Sequence, residues 1–323
     1  MLEPSIPITR TGIVIDACCD VPPEFLKQPN VIVIPIPIRN GDTISYMDHH
    51  DPQTSARYMR ENTQGQGLHG KSEPMDAEQM QAFFLDNCAL DFDQVYCLTI
   101  NSSISPIYTS ATQGLDMALT AIRKCRHEAD ITRPFVCRVV DTQNLFSGEG
   151  IAAFLLQDLL QKPLHPADMF KEFIKGVDSI HTYITAEDLA YAHKRISVRG
   201  DHIFNWASLL LGKALHVKPM VHYYHGKSEL VGKFRGRSGV LSKIFSLIIG
   251  HVISQRLKTP NVIISHADAL GEIYKADTFS QLRTACEVHG VNLHIVPMSI
   301  AGMMNLGLGA LTISFAADIG KIT

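Results

Sequence analysis

Charge is scarce in this 323-residue sequence: 19% of the residues are Asp, Glu, Lys or Arg, and the formal net charge is −3. A nucleic-acid partner calls for a basic surface to meet phosphates, so no nucleic acid is expected. Lys233, Arg235 and Arg237 read as a solvated face. No stretch reaches the ~18 apolar residues of a membrane-spanning helix. The greasiest segment, Val240 to Ile253, is broken by Ser242, Lys243, Ser246 and His251. Glu3 and Pro4 stand where a signal peptide needs an apolar run, so the expected location is cytoplasmic. Seven cysteines are present without a C-x-x-C, which leaves a zinc framework unsupported. Adjacent Cys18 and Cys19 read as buried small hydrophobes. Also missing are G-x-G-x-x-G, the Walker A pattern, H-E-x-x-H and G-x-S-x-G. Low-complexity tracts and short repeats are absent, and 46% of residues are apolar. That composition excludes disorder, coiled coil and collagen.

What is present is an alternation of apolar strands and helices. Strand-like runs occur at Gly12–Asp16, Val31–Ile38, Gln94–Ile100 and Phe135–Asp141. Between them the pattern predicts helices at Asp76–Asn87, Thr109–Cys125 and Gly148–Leu160. Near-continuous apolar strands alternating with helices indicate a parallel sheet covered on both faces. Pro35 and Pro37 donate no ladder hydrogen bond, so the second run belongs at a sheet edge or in an irregular extension. A helix at Ala167–Val177 closes this part. A mixed region then follows, with strands at His181–Thr185, Val217–His222, Asn261–Ser265, Asn292–Pro297 and Ala310–Phe315. Helices are expected there at Glu187–Lys194, Trp206–Leu215 and Val240–Leu257. The reading is α/β in two lobes, residues 1–178 and 179–323.

In open α/β sheets, ligands sit beyond the carboxyl ends of strands. Polar clusters fall at such exits. Ser105 followed by Pro106 looks like an N-cap with proline at the first helical position; alternatively Ser102, Ser105 or Thr109 points a hydroxyl at a ligand head. Lys71 and Ser72 precede Asp76 and Gln79, which resemble a capping box. Asp48-His49-His50-Asp51 holds residue types that ligate divalent ions. Adjacent residues of an extended segment point to opposite sides, however, so no metal is expected there.

The order of these motifs resembles the DegV family. Gly12-Ile13-Val14-Ile15-Asp16-Ala17-Cys18-Cys19-Asp20-Val21-Pro22 is similar to its opening I-V-T-D-S-x-x-D-L-P, and Tyr46 to Asp51 to its Y-x-D-x-x-D. Lys71-Ser72-Glu73-Pro74 sits in the T-S-Q-P slot, and Ser102 to Ala111 resembles S-x-L-S-G-T-Y-x-S-A. Val139 to Thr142 resembles V-V-D-S, Arg199 to Ile203 lies in the K-G-G-R-I slot, and Val217-Lys218-Pro219 answers I-K-P. Asn305 to Ala310 resembles H-x-G-P-G-A.

The resemblance implies a two-domain α/β protein, with a parallel-sheet N-terminal lobe and a mixed-sheet C-terminal lobe. Such a protein encloses one long-chain fatty acid between the lobes and performs no chemistry itself. In some bacteria it presents the bound acid to a separate fatty acid kinase. The family's head-group contacts carry over to Lys71, Ser105 and Asn305, with Ser72, Ser102, Thr109 and His202 beside them. Lys71 replaces threonine, Asn305 replaces histidine, Pro106 replaces glycine and His202 replaces arginine. No cofactor is implied. Each buried CH₂ is worth ~0.8 kcal/mol, so a fourteen-methylene tail contributes roughly 11 kcal/mol at most. A buried carboxylate is costly unless paired. The tail therefore supplies affinity and the polar cluster selects the head. Two alternatives accompany this reading: a hydrolase on the same scaffold, using His202 or a serine of the 102–110 loop, and an interaction protein whose cavity has filled in. The helix Val240–Leu257 reads as an ordinary packed helix, with gating or transient membrane contact as its other reading.

Overall fold

The computed structural model describes residues 10–62, 70–199 and 217–318. The first apolar run becomes β1 (Thr11–Asp16), and the chain turns through α1 (Pro23–Leu26) into β2 (Val31–Ile34). Pro35 ends that strand. The residues after it form β3 (Ile36–Asn40), which pairs with β4 (Thr43–Asp48) and, beyond α2 (Pro52–Glu61), with β5 (Lys71–Ser72). One expected strand is thus two, in different sheets. Then come α3 (Ala77–Asn87), β6 (Gln94–Thr99), α4 (Ile107–Glu128) and β7 (Val136–Asp141). The main sheet of this lobe is parallel, in the order β2-β1-β6-β7, with proline-bounded β2 at an edge.

Both faces of the sheet are covered. Val14, Val95 and Cys97 point into a core shared with α3 and α4. Ile13, Ile15 and Leu98 point into a second core shared with α5 (Ser147–Leu160) and α6 (Pro166–Val177). That double burial explains why these strands read as continuous apolar runs.

The second lobe comprises β8 (Ile180–Thr185), α7 (Leu189–Arg199), β9 (Val217–Tyr224), β10 (Lys227–Arg235), α8 (Arg237–Ile253) and β11 (Asn261–His266). It continues through α9 (Leu270–Lys275), α10 (Phe279–Val288), β12 (Asn292–Pro297), α11 (Ile300–Leu306) and β13 (Leu311–Ala316). Its mixed sheet has the order β10-β9-β8-β13-β11-β12. Only the β11–β12 pairing in this sheet is parallel among the described residues. α8 and α10 cover one face with Ile244, Phe245, Ile248 and Leu282. The helix expected at Trp206–Leu215 lies outside the described residues, as does His202.

α5 serves both lobes, touching β6 on one side and β8, β11 and β13 on the other. Eleven of its residues are buried, including Glu149. Its first turn has no room for side chains at two positions. A Cβ on Gly148 would lie 2.1 Å from Asn144 Oδ1, and one on Gly150 would lie 2.3 Å from the Asp20 carbonyl oxygen. Ser147 Oγ meets Thr312 Oγ1 at 2.8 Å and Ser314 Oγ at 2.7 Å, joining the helix to β13.

Two polar constructions brace the lobes. At the amino edge of the parallel sheet, Asp93 accepts from Arg126 Nη2 at 2.8 Å, Arg133 Nη1 at 3.0 Å and Arg10 Nη2 at 3.2 Å. Burial alone would raise that carboxyl, but these donors outweigh it and hold it far below the usual range. In the second sheet, His181 Nδ1 and His222 Nε2 are 2.9 Å apart within a stack that includes Tyr183 and Tyr224. Burial pushes both imidazoles down, His181 to about 3 and His222 to about 4.

Candidate functional site

The carboxyl ends of β1, β6 and β7 open into three short turns that are tied together. Asp16 Oδ1 accepts from the Cys18 amide at 2.7 Å, and Oδ2 accepts from the Ile100 amide at 2.8 Å. The Asn101 amide donates to the Asn144 carbonyl at 2.9 Å. The same exits reach the second lobe: Asn101 Nδ2 donates to Tyr223 Oη at 2.5 Å, and Thr182 Oγ1 to Asn144 Oδ1 at 2.7 Å.

Around this junction runs an apolar seam. Ala17, Ile34, Ile36 and Ile100 of the first lobe share one cluster with Ile184, Val221, Met298, Ile300, Met303 and Met304 of the second. Met75, Ile104, Leu189, Leu230 and Leu308 pack against that cluster while only partly covered.

At the polar side of the seam, α11 is the organising element. Ser299 caps it by accepting from the Gly302 amide at 3.2 Å. Near its other end, Asn305 Nδ2 donates to the Ala301 carbonyl at 2.8 Å, and its Oδ1 accepts from Arg195 Nη2 at 3.2 Å. Arg195, 2% exposed, also donates Nη1 to the Gly70 carbonyl at 2.8 Å. Gly70 leads directly into Lys71 and Ser72. A guanidinium on α7 therefore joins the two segments that carry Lys71 and Asn305.

The other expected site residues are placed as follows. Lys71 is exposed on β5 opposite Arg39, and Ser72 is half-buried opposite Ile38. Ser102 and Thr109 are exposed, and Ser105 is half-buried. Ser105 is not the N-cap: α4 starts at Ile107 and Pro106 is its cap, with φ −72° and ψ −3°. Proline is thus set one position earlier than its usual first-turn place, and the Ser105 hydroxyl instead accepts from the Ile107 amide at 3.4 Å. The capping box of Asp76 and Gln79 is present as expected.

The Asp48–Asp51 run is divided among separate tasks. Asp48 is buried, His49 is exposed, and Asp51 caps α2 by accepting from the Thr54 amide at 2.8 Å. Cys18 and Cys19 are buried free thiols, and burial pushes both well above the ordinary thiol range.

The sequence reading did not single out Arg195, nor the buried acids Asp16, Asp20 and Glu149. The available signal for the first two was the pair of carboxyls inside the apolar run Ile13 to Val21. Burial raises Asp16 to about 6, against hydrogen bonds from Ile100 and Cys18 that favour the charged form. Burial, together with the nearby Asp16 and Asp20 carboxyls, raises Glu149 well above its ordinary value.

Comparison with known proteins follows the same line. The family profile described as "Uncharacterised protein, DegV family" matches residues 10–318. A DegV domain-containing protein of Xanthomonas campestris pv. campestris is 33% identical over 309 residues, covering 96% of this chain and 98% of that protein. Among solved structures, a stearic acid-binding protein from Eubacterium ventriosum aligns with a TM-score of 0.75 at 18% identity, covering 95% of this chain and 98% of that one. DegV from Bacillus subtilis, described as a fatty acid binding protein, aligns with a TM-score of 0.72 at 19% identity, covering 96% of this chain and 100% of that one.

Proposed function

The chain belongs to the DegV family, and from that premise we propose that it binds one long-chain fatty acid between its lobes, without catalysis of its own. The observation that carries this reading is the partly covered apolar seam beside α11, where Arg195 joins Asn305 to the Gly70 carbonyl that leads into Lys71 and Ser72. An acyl chain needs the seam and its carboxylate needs the polar residues, because a buried carboxylate is tolerated only when paired. Relatives of this fold bind stearic and other fatty acids. Ser105, Ser102 and Thr109 at the β6 exit supply hydroxyls, and His202 belongs to the same set by its place in the sequence.

The departures from the family pattern sharpen the head-group reading. Asn305 cannot titrate, so the positive charge opposite the carboxylate comes from Lys71 and Arg195. Delivery of the bound acid to a separate fatty acid kinase is the onward step, in the cytoplasm. Recovery of a kinase subunit with the tagged protein from its own cells tests it, and a pull-down without one removes that step.

Native mass spectrometry with solvent extraction tests the main reading. One acyl chain per protein is expected. A protein that purifies empty and takes up no oleate overturns it. Turnover of an ester or phosphate by the purified protein, abolished by His202→Ala, would establish a hydrolase instead.

A further inference from the structure

The binding reading leaves two of the most deeply buried acids without a task. Asp20, on the turn after β1, accepts from the Ser299 amide at 2.8 Å through Oδ1 and from the Ser265 hydroxyl through Oδ2. Asp48, at the end of β4, accepts from the Ala301 amide at 2.9 Å through Oδ2. Both donor amides belong to the start of α11, while both acids belong to the first lobe. Exposure is 0% for Asp20 and 1% for Asp48. Asp48 Oδ1 is buried without a hydrogen-bond partner.

We infer that Asp20 and Asp48 are positioning residues for the ligand head group, forming a two-carboxyl clamp that seats α11 against the first lobe and loosens when the acids ionise. The inference rests on the fatty-acid reading for its ligand. α11 has 7 residues, too short to hold its place by helix formation alone. Its orientation depends on what grips its ends: Asp20 and Asp48 at the start, and Tyr191 Oη donating to the Met304 carbonyl at 2.7 Å near the finish. Asn305 is on the same short helix, so a shift of the first turn moves the Arg195–Asn305 contact with it.

The clamp differs from an ordinary ion pair in its surroundings. The titratable groups facing it are Asp16, Cys18 and Cys19 from β1 and its turn and Glu149 from α5, while His50 gives Asp48 its backbone amide. Amide and hydroxyl donors meet the acids where a cation would ordinarily stand. Burial raises Asp20 to about 8 and Asp48 to about 7 against those donors. A folded-state value above the unfolded one means that the protonated form is favoured by the fold. The donor bonds themselves favour the charged form; what fades is the seating, because an ionised acid is drawn to water. The seated state is fully favoured below the ordinary carboxylate range and loses ground as pH rises to about 7 for Asp48 and about 8 for Asp20.

The test is the release rate of radiolabelled oleate between pH 6 and 9, for the full chain and its variants. Wild type is expected to release faster as pH rises, by up to about tenfold per pH unit for each acid that is losing its proton, and to level off above about 8. Asp48→Asn keeps an acceptor for the Ala301 amide and cannot titrate, so its profile is expected to be flatter than that of wild type. Asp48→Ala is expected to release faster at every pH. A wild-type profile in Asp48→Asn and Asp20→Asn, or a wild-type rate in Asp48→Ala, overturns the clamp. An empty wild type overturns the fatty-acid reading instead. The clamp is then decided by amide exchange at Ala301, which must quicken in Asp48→Ala and stay slow in Asp48→Asn at neutral pH.

Discussion

The two edges of the parallel sheet treat buried acids in opposite ways. At the amino edge, Asp93 faces the guanidinium groups of Arg10, Arg126 and Arg133 and stays ionised. At the carboxyl edge, Asp16 and Asp20, joined by Asp48 from the end of β4, are held by amides and hydroxyls, and burial raises all three. The first arrangement is a fixed brace. The second can change its charge state near neutral pH, and it adjoins the seam proposed to take the ligand. Charged partners on a carboxylate favour permanence, whereas neutral donors leave room for titration.

The largest effect is expected from breaking the brace. Asp93→Ala leaves Arg126, 3% exposed, without its counter-charge, and removing one member of a buried pair costs about 3–5 kcal/mol. Arg10 and Arg133 are 45% and 38% exposed and lose little. Urea unfolding measures the sum; a loss under about 1 kcal/mol would show that Asp93 is a surface ion pair in practice.

Next comes bulk at the opposite edge. Gly150→Ala forces a methyl group against the Asp20 carbonyl, and overpacking of this kind costs about 1–3 kcal/mol or more. Thermal unfolding within 1 °C of wild type would mean that the α5 backbone yields.

The pH dependence should separate the edges by sign. Asp93 lies below its unfolded value, so its contribution is full above the ordinary carboxylate range and is lost as pH falls beneath it. Asp48 lies above its unfolded value, so its contribution is full below about 3.8 and is lost as pH rises to about 7. The stability difference between wild type and Asp48→Asn should therefore shrink with rising pH, by up to about tenfold in the folding constant per unit. His181 and His222 add an acid limb, because their depressed values make stability fall as pH drops from 6.5 towards about 4 and about 3. Parallel curves for wild type and Asp48→Asn would erase the contrast between the edges.

The smallest effect on stability belongs to Lys71→Ala, at an exposed position where substitutions usually stay within about 0.5 kcal/mol. Its expected signature is weaker binding of carboxylates than of matching alcohols, read by competition. Equal losses for both would remove the ion pair with the head group.

What the sequence disclosed follows from the range of the forces involved. β1, β6 and β7 were legible because burial on both faces leaves an unbroken apolar record, and Pro35 with Pro37 placed β2 at an edge, although the run Val31–Ile38 is two strands in different sheets. β4, β5 and α2 carry mostly exposed or half-buried residues and left no such record. β10 was missed in the same way, having no fully buried residue, whereas α10 was missed although it buries Phe279, Leu282, Ala285 and Cys286 at helical spacing. The family resemblance nominated Lys71, Ser105 and Asn305 as the head-group contacts proposed above. Arg195 escaped notice because its partners Gly70 and Asn305 are 125 and 110 positions away. Asp48 was read beside its histidine neighbours, since spacing along a chain does not reveal that its carboxyl meets α11.

α5 is a wall common to both halves of the molecule. Prising the halves apart along it would wet Ile151, Ala152, Phe154 and Leu155 and strand the Ser147 hydroxyl from Thr312 and Ser314. On the fatty-acid reading, an entering hydrocarbon is expected to pass the partly covered Met75, Ile104, Leu189, Leu230 and Leu308 rather than α5, with the helix as the stationary jamb of a one-sided door.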